Sequence, residues 1–323
     1  MTQSIINLLC GIGLFLYGIF LMGEHTEKAF GESLRHTLGV LTKNRFTGML
    51  TGMLVTGLIQ SSSATTVMTV SFVSSSLMSL SQAVGIVMGA NIGTTVTSLL
   101  IAFNFSAFAP IVIFLGVAGK ILTKKEQRLH LLELLIGFGL LFLGMNTMSA
   151  SFAHLKENEA FLGFVSACES KIVSVLVGFI MTAILQSSSA TEGILQALAL
   201  SGVVEVESAL YIIFGQNIGA VIPTMLSAIG AKKEAKQVGI IHLLFNIIGT
   251  VIFFLLFELV PFPSFIRHLG NESMQVSFMH IAFNVLSTVI LLPFGDALIK
   301  MSSFITTKGR HKDRPLHNCK IVN

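Results

Sequence analysis

A chain of 323 residues that is 53% hydrophobic, 11% charged and has a mean hydropathy of +0.82 is excluded from the soluble globular class, where roughly 25% of residues carry charge. Its apolar stretches are continuous rather than alternating, which selects an all-α polytopic membrane protein over a β-barrel. The formal charge of +4 implies no nucleic-acid partner, because the basic residues gather between apolar stretches, as topology signals do.

The first apolar stretch, 4–23, is near the roughly 20 residues that a spanning helix needs. Met1–Asn7 holds no Lys or Arg, so the basic leader of a signal peptide is missing; Leu8-Leu9-Cys10 is only a faint likeness of a lipoprotein cleavage site. Cys10, Cys168 and Cys319 have no metal-binding spacing and read as small buried or incidental residues. Segment 46–78 carries Ile59-Gln60-Ser61-Ser62-Ser63-Ala64-Thr65 inside apolar sequence. As helices its arms, 46–59 and 64–78, reach about 21–22 Å each, short of the roughly 30 Å hydrocarbon core. It therefore reads as a re-entrant helical hairpin with Gln60–Ser63 at its tip, rather than one spanning helix with a polar stripe.

Spans 80–103, 108–122 and 130–149 follow. Gly89-Ala90-Asn91-Ile92-Gly93-Thr94-Thr95 interrupts the first of these and reads as a broken helix, although Gly85, Gly89 and Gly93 also form a ridge of small residues suited to close packing. A second hairpin, 171–204, carries Leu185-Gln186-Ser187-Ser188-Ser189-Ala190-Thr191. Span 206–229 repeats the polar interruption as Gly215-Gln216-Asn217-Ile218-Gly219-Ala220-Val221, then Pro223. Spans 238–260 and 274–294 contain His242-x-x-x-Asn246 and His280-x-x-x-Asn284. Each pair shares one helix face; with no Cys or carboxylate beside it, interhelical hydrogen bonding suits it better than a metal. Glu192 stands where the first half has Thr66 and reads as a cation's partner or a solvated group. Glu133 reads as structural, and the basic tail 301–323 as a solvated or lipid-facing cytoplasmic segment.

Seventeen of the 20 Lys and Arg residues follow the first, third, fifth and seventh spans; Lys156, Lys171 and Arg267 alone fall on the other side. Seven crossings with the N-terminus outside and the C-terminus cytoplasmic satisfy the positive-inside rule. Adding 126 maps Gly11, Gly13, Gly18 and Met22 onto Gly137, Gly139, Gly144 and Met148, and Gly52, Thr56, Gly89, Asn91 and Gly93 onto Gly178, Thr182, Gly215, Asn217 and Gly219. Three crossings separate equivalent positions, so the second copy is inverted, an architecture common among secondary transporters. The expected organisation is membrane repeat 1 over 1–126, an inverted repeat 2 over 127–260, an extra helix over 261–300 and the tail.

A hairpin tip near the midplane brings together one helix end with free carbonyls, suited to a cation, and one with free N–H groups, suited to an anion. Two tips entering from opposite faces make a small polar chamber for an oxyanion and hard cations. A nucleophilic serine would need a base in reach. His242 and His280 have no evident carboxylate to orient them, so an enzyme is not expected.

The two QSSSAT phrases, with GANIGTT and GQNIG about 25 residues after them, closely resemble the type II sodium–phosphate cotransporter family over residues 5–295. That resemblance implies sodium-driven transport of inorganic phosphate in the plasma membrane. Phosphate binding is carried over to Gln60, Ser61, Ser62, Ser63, Gln186, Ser187, Ser188 and Ser189. Asn91, Thr94, Thr95, Asn217, Thr65 and Thr191 are carried over as sodium or secondary contributors. The implied ligands are phosphate, sodium ions and membrane lipid, without an organic cofactor, and a homo-oligomer is compatible. Ala220 and Val221 replace the Thr94-Thr95 pair, so the halves are unequal donors. Many bacterial relatives carry a soluble domain resembling the phosphate regulator PhoU, and animal members a large loop between the halves. The short 150–171 segment and the end of the chain about 30 residues after its last span match a minimal bacterial form. Symport of another oxyanion, sulfate or a dicarboxylate, coupled to sodium or to protons, is the alternative, since no arginine lies near the tips. A passive channel would show flux with no sodium requirement.

Overall fold

The computed structural model describes residues 2–156, 158, 161, 163, 165, 170–259 and 266–310, and among them it is all helix, turn and loop. Helix α1, Thr2–Leu41, is 40 residues long, about 60 Å. It extends well past the expected 4–23, because no Gly-Pro or capping signal stops it before Thr42. After it come α2 (Arg45–Ile59), α3 (Ser62–Ser74) and α4 (Leu80–Ala102), then a 3₁₀ turn at Phe105–Ala107, α5 (Ala109–Leu122) and α6 (Glu126–Leu155). The second half supplies α7 (Lys171–Leu185), α8 (Ser188–Leu200), α9 (Val206–Gly219), α10 (Ile222–Ser227), α11 (Lys233–Leu259), α12 (Glu272–Leu291) and α13 (Gly295–Arg310).

Among the described residues six helices, not the expected seven, are long and apolar enough to cross a bilayer: Thr2–Leu41, Leu80–Ala102, Arg128–Leu155, Val206–Ser227, Lys233–Leu259 and Glu272–Leu291. The expected span 108–122 is the 14-residue α5, about 21 Å long; Asn104, at φ 48°, ends α4 and a 3₁₀ turn precedes α5. The extra helix expected over 261–300 is instead α12 and α13, divided by a turn after Leu291. The tail expected at 301–323 is helical to Arg310, and 311–323 lies outside the described residues, as do 260–265.

Close backbone approach sets the helix directions. Gly11 lies on Gly144 and Met148, and Gly18 on Gly137 and Leu141, so α1 and α6 run antiparallel; a Cβ on Gly18 would fall 2.5 Å from the Leu141 nitrogen. Gly85 and Gly89 seat against the carbonyls of Arg45 and Met49, and Gly215 and Gly219 against those of Val175 and Phe179, so α2 runs parallel to α4 and α7 to α9. Each parallel pair begins at the same end, and only Ser75–Ser79 or Ser201–Glu205 separates α3 from α4 or α8 from α9. The chain therefore doubles back between α2 and α3 and between α7 and α8. The return turns match across the 126-residue offset: Ser76 and Gly202 take φ 64° and 65°.

A core of Phe15, Met145, Met148 and Phe152 packs α1 and α6 against Ile194 and Leu195 of α8. A second joins Leu34, Val55, Val70 and Val238. Phe214, Phe253 and Phe283 cluster with ring centroids 5.1–6.3 Å apart. Apolar stripes at Phe46, Leu50, Leu54 and Leu58 on α2, and at Ile172, Leu176, Ile180 and Ile184 on α7, are exposed.

Candidate functional site

The two serine phrases meet. Residues 59–64 and 185–190 line one cavity of about 570 Å³, walled by Leu16, Phe20, Gly23, Glu24 and Glu27 of α1. All eight tip residues expected from the sequence, Gln60–Ser63 and Gln186–Ser189, border it.

The tips share one backbone solution. Gln60 ends α2 in the left-handed region at φ 61°, ψ 25°, and Gln186 ends α7 at φ 52°, ψ 22°. Their N–H groups close the preceding turns on the Thr56 and Thr182 carbonyls, each at 2.8 Å. Ser61 and Ser187 then extend and cap the next helix, their hydroxyls accepting from the Ala64 and Ala190 N–H groups at 3.1 and 3.2 Å. Thr56 and Thr182 donate across the tips to Thr65 and Thr191 at 2.8 and 3.0 Å. The two cap hydroxyls are thus engaged, whereas among the described residues no hydrogen bond engages the side chains of Ser62, Ser63, Ser188 and Ser189. These sit on the first turns of α3 and α8, whose leading N–H groups have no intrahelical acceptor. Each tip offers a donor-rich helix start beside a carbonyl-rich helix end.

The tips differ in anchoring. Gln60 donates to the Gly57 carbonyl and accepts from Thr97 Oγ1 at 2.7 Å; the equivalent of Thr97 is Pro223, and Gln186 is exposed, with no side-chain partner among the described residues. Ser188 and Ser189 are buried, at 8% and 6% exposure, while Ser61–Ser63 are half-buried. Helix α8 packs against α1 and α6, with Gly193 on the Phe15 ring; α3 packs against α2, α4, α10 and α11.

The expected secondary contributors do not line the cavity. Helix α4 is continuous through Gly89–Thr95, correcting the expected break: intrahelical hydrogen bonding and glycine packing on α2 satisfy that stretch. Asn91 donates to the Val87 carbonyl at 2.9 Å and pairs with His242 Nε2 at 3.1 Å. Thr94 and Thr95 donate back to the Ala90 and Ile92 carbonyls, and Asn217 to the Ile213 carbonyl. Thr65 and Thr191 are fully buried beneath the tips. In the second half the helix does end, at Gly219, and restarts at Ile222 with Pro223 in its first turn.

Glu192 is neither solvated nor in the cavity. It is fully buried one turn beyond Ser188, accepting from Ser98 Oγ at 2.6 Å, Gln216 Nε2 at 3.0 Å and Gln196 Nε2 at 3.2 Å, with His280 Nδ1 at 3.6 Å. Ser273 donates to Gln196 at 2.5 Å. The cluster ties α8 to α4, α9 and α12; in the sequence Ser98, Gln196 and Gln216 are isolated polar residues that carry no sign of it. The expected interhelical bonding holds for His242, which joins Asn91 and Thr224; Asn246 and Asn284 instead donate within their own helices to the His242 and His280 carbonyls. Glu133 pairs with Lys120. Cys10 is free and exposed, and Cys168 and Cys319 lie outside the described residues. Glu24 and Glu27 on the cavity wall were also missed; their signal was an acidic i, i+3 pair directly after the first apolar run.

The sequence model of the Na+/Pi-cotransporter family matches residues 14–150 and again 144–288. The chain belongs to that family. It is 29% identical over 250 residues, 77% of this chain and 46% of the relative, to the "Putative inorganic phosphate export protein YjbB" of Escherichia coli O157:H7. It is 28% identical over 257 residues, 78% of this chain and 80% of the relative, to the "Uncharacterized protein YqeW" of Bacillus subtilis (strain 168). Over 62 residues, 19% of this chain and 9% of the relative, it is 48% identical to human "Sodium-dependent phosphate transport protein 2B". The chain spans about half the length of the YjbB proteins it matches. No solved structure matches it.

Proposed function

We propose that the chain is a sodium-coupled symporter of inorganic phosphate, working by alternating access in the plasma membrane. The observation that carries this is the convergence of both QSSS tips on one cavity, with four uncommitted serine hydroxyls and two helix starts facing it. Helix starts and hydroxyls suit a tetrahedral oxyanion. Glu24 and Glu27 on the wall are already paired with Lys28 and Arg35, and neither Lys nor Arg is among the described residues that line the cavity, so a phosphate held there needs cations brought with it. Sodium supplies that charge at the carbonyl-rich ends of α2 and α7. Phosphate binds at Gln60–Ser63 and Gln186–Ser189. Asn91, Thr94, Thr95, Asn217, Thr65 and Thr191 act from behind the tips, holding them in register for sodium.

The α2–α3 and α7–α8 pairs are re-entrant hairpins of two inverted repeats, 1–126 and 127–260. Supporting this are the antiparallel α1–α6 pairing through equivalent glycines and the matched exposed apolar stripes on α2 and α7, which need a lipid solvent. Helix α5 runs antiparallel to α6, with Gly116 against Ile136 and Gly139 against Ala109 and Ile113. That arrangement supports a seventh crossing despite its length, with the N-terminus outside and the C-terminus cytoplasmic. The cavity then opens at Glu24 and Glu27 to the cytoplasm, and α8 packed on α6 seals the other side. Net direction follows the imposed gradients.

Ser62→Ala together with Ser188→Ala is expected to lower sodium-stimulated phosphate flux in proteoliposomes by at least tenfold, roughly the loss of one charge-assisted hydrogen bond, with insertion unchanged. Unchanged flux would refute the tip assignment. Competition by sulfate or succinate as strong as that by phosphate would transfer the assignment to another oxyanion.

A further inference from the structure

A second cavity, of about 480 Å³, lies between the α10–α11 turn and α13. Lys232, Lys233 and Lys236 line it above an apolar floor that includes Met225 and Ile240. Six other basic side chains pair with carboxylates, Lys28, Arg35, Arg45, Lys120, Lys171 and Arg267; these three pair with none among the described residues. Lys233 donates instead to Thr307 Oγ1 of α13 at 3.0 Å, which fixes one ammonium at the rim. The nearest acidic residue in sequence, Glu234, faces a different cavity.

The position is electrostatically unfavourable as it stands. The lysines occupy the start of the 27-residue α11, where the helix dipole is already positive and cations are disfavoured. A bound anion relieves both the mutual repulsion and the dipole. Beside the lysines Leu226 and Ile229 are exposed, at 50% and 74%, so the cationic rim adjoins an apolar surface that lipid would cover. The lysines belong to the strongly basic side of the chain, where anionic lipid gathers near a membrane.

We propose that this cavity binds the phosphate headgroup of an anionic phospholipid, the lysines holding the phosphate and Ile229 flanking an acyl chain. Its floor is the end of α10, whose Thr224 bonds Thr66 of α3 at 2.8 Å and His242 at 3.0 Å. A seated headgroup therefore braces the helix that returns from the first tip. The site is separate from the serine cavity and stands whether or not that cavity carries phosphate.

The test is native mass spectrometry of the full chain in neutral detergent with phosphatidylglycerol or phosphatidylcholine of identical acyl chains. Phosphatidylglycerol is expected to be retained over phosphatidylcholine. Each lysine-to-glutamine change should weaken retention by roughly fivefold, and the triple variant K232Q/K233Q/K236Q should lose the preference. The control K124Q/K125Q, on the same basic side, should keep it. Phosphatidylglycerol should also raise the melting temperature of the wild type but not of the triple variant. Equal loss in the control, or equal retention of both lipids by the wild type, would overturn the proposal. Displacement of the lipid by millimolar inorganic phosphate would overturn the lipid assignment in favour of a free-anion site.

Discussion

Gln60 and Gln186 hold left-handed backbones that non-glycine residues rarely adopt. The strain is held by the bonds around them, from Thr56 or Thr182 before the tip and from Ser61 or Ser187 after it. This divides the serines by task. Ser61→Ala or Ser187→Ala removes a helix cap and is expected to cost about 1 kcal/mol of stability, read as a lower melting temperature. Ser62→Ala or Ser188→Ala breaks no protein hydrogen bond and should leave the melting temperature within error while flux falls. Glu192 presents the opposite case. Two of its donors, Ser98 Oγ and Gln216 Nε2, would lose their acceptor in Glu192→Ala, while Gln196 still donates to the Ser98 carbonyl at 3.1 Å; the expected cost is about 3 kcal/mol, whereas Glu192→Gln keeps an acceptor for Ser98 and should melt closer to the wild type. Equal melting of the two variants would contradict the hydrogen-bonding role.

At the scale of elements, glycine contacts fix the tips in place. A Cβ on Gly89 would lie 2.0 Å from the Met49 carbonyl oxygen, and one on Gly215 1.8 Å from that of Val175. Gly89→Val or Gly215→Val must separate the parallel helices and is expected to cost about 3 kcal/mol, measured by thermal unfolding in detergent. Arg45, at the start of α2, donates to Asp296 of α13 at 2.6 Å, and this hydrogen bond holds the Asp296 carboxyl below the ordinary carboxylate range. A depressed carboxyl stabilises the fold above its unfolded pKa and loses that contribution as pH falls through the folded value. The melting difference between wild type and Asp296→Asn should therefore shrink in acid. A difference that persisted in acid would exclude the ion pair as its source.

For the whole molecule, the repeat was legible because 126 residues separate identical phrases, and the tips were legible because four polar residues interrupt apolar arms too short to span. The secondary contributors were not. Asn91, Thr94 and Asn217 are polar residues among glycines, which looks the same in sequence whether the helix breaks or whether glycines let another backbone approach; α4 follows the second course. Glu192 was illegible because, besides Gln196 one turn on, its donors Ser98 of α4 and Gln216 of α9 stand 94 and 24 residues away in sequence. Helix α5, with 14 residues, falls short of the spanning length although it runs alongside α6, so the proposed seventh crossing needs its own test. With Cys10, Cys168 and Cys319 replaced by Ser, Ser106→Cys should react with an impermeant maleimide from outside intact cells and Lys124→Cys only after lysis. Labelling of both from one side would remove the seventh crossing and with it the inverted repeat.

Coupling of phosphate to sodium is read from uptake of labelled phosphate into proteoliposomes under separately imposed sodium, lithium, potassium and pH gradients. An inward sodium gradient is predicted to drive phosphate accumulation above equilibrium, with potassium ineffective and collapse of the sodium gradient abolishing it. Phosphate equilibration at the same rate without sodium, or accumulation driven by a pH gradient alone, would contradict sodium-coupled symport.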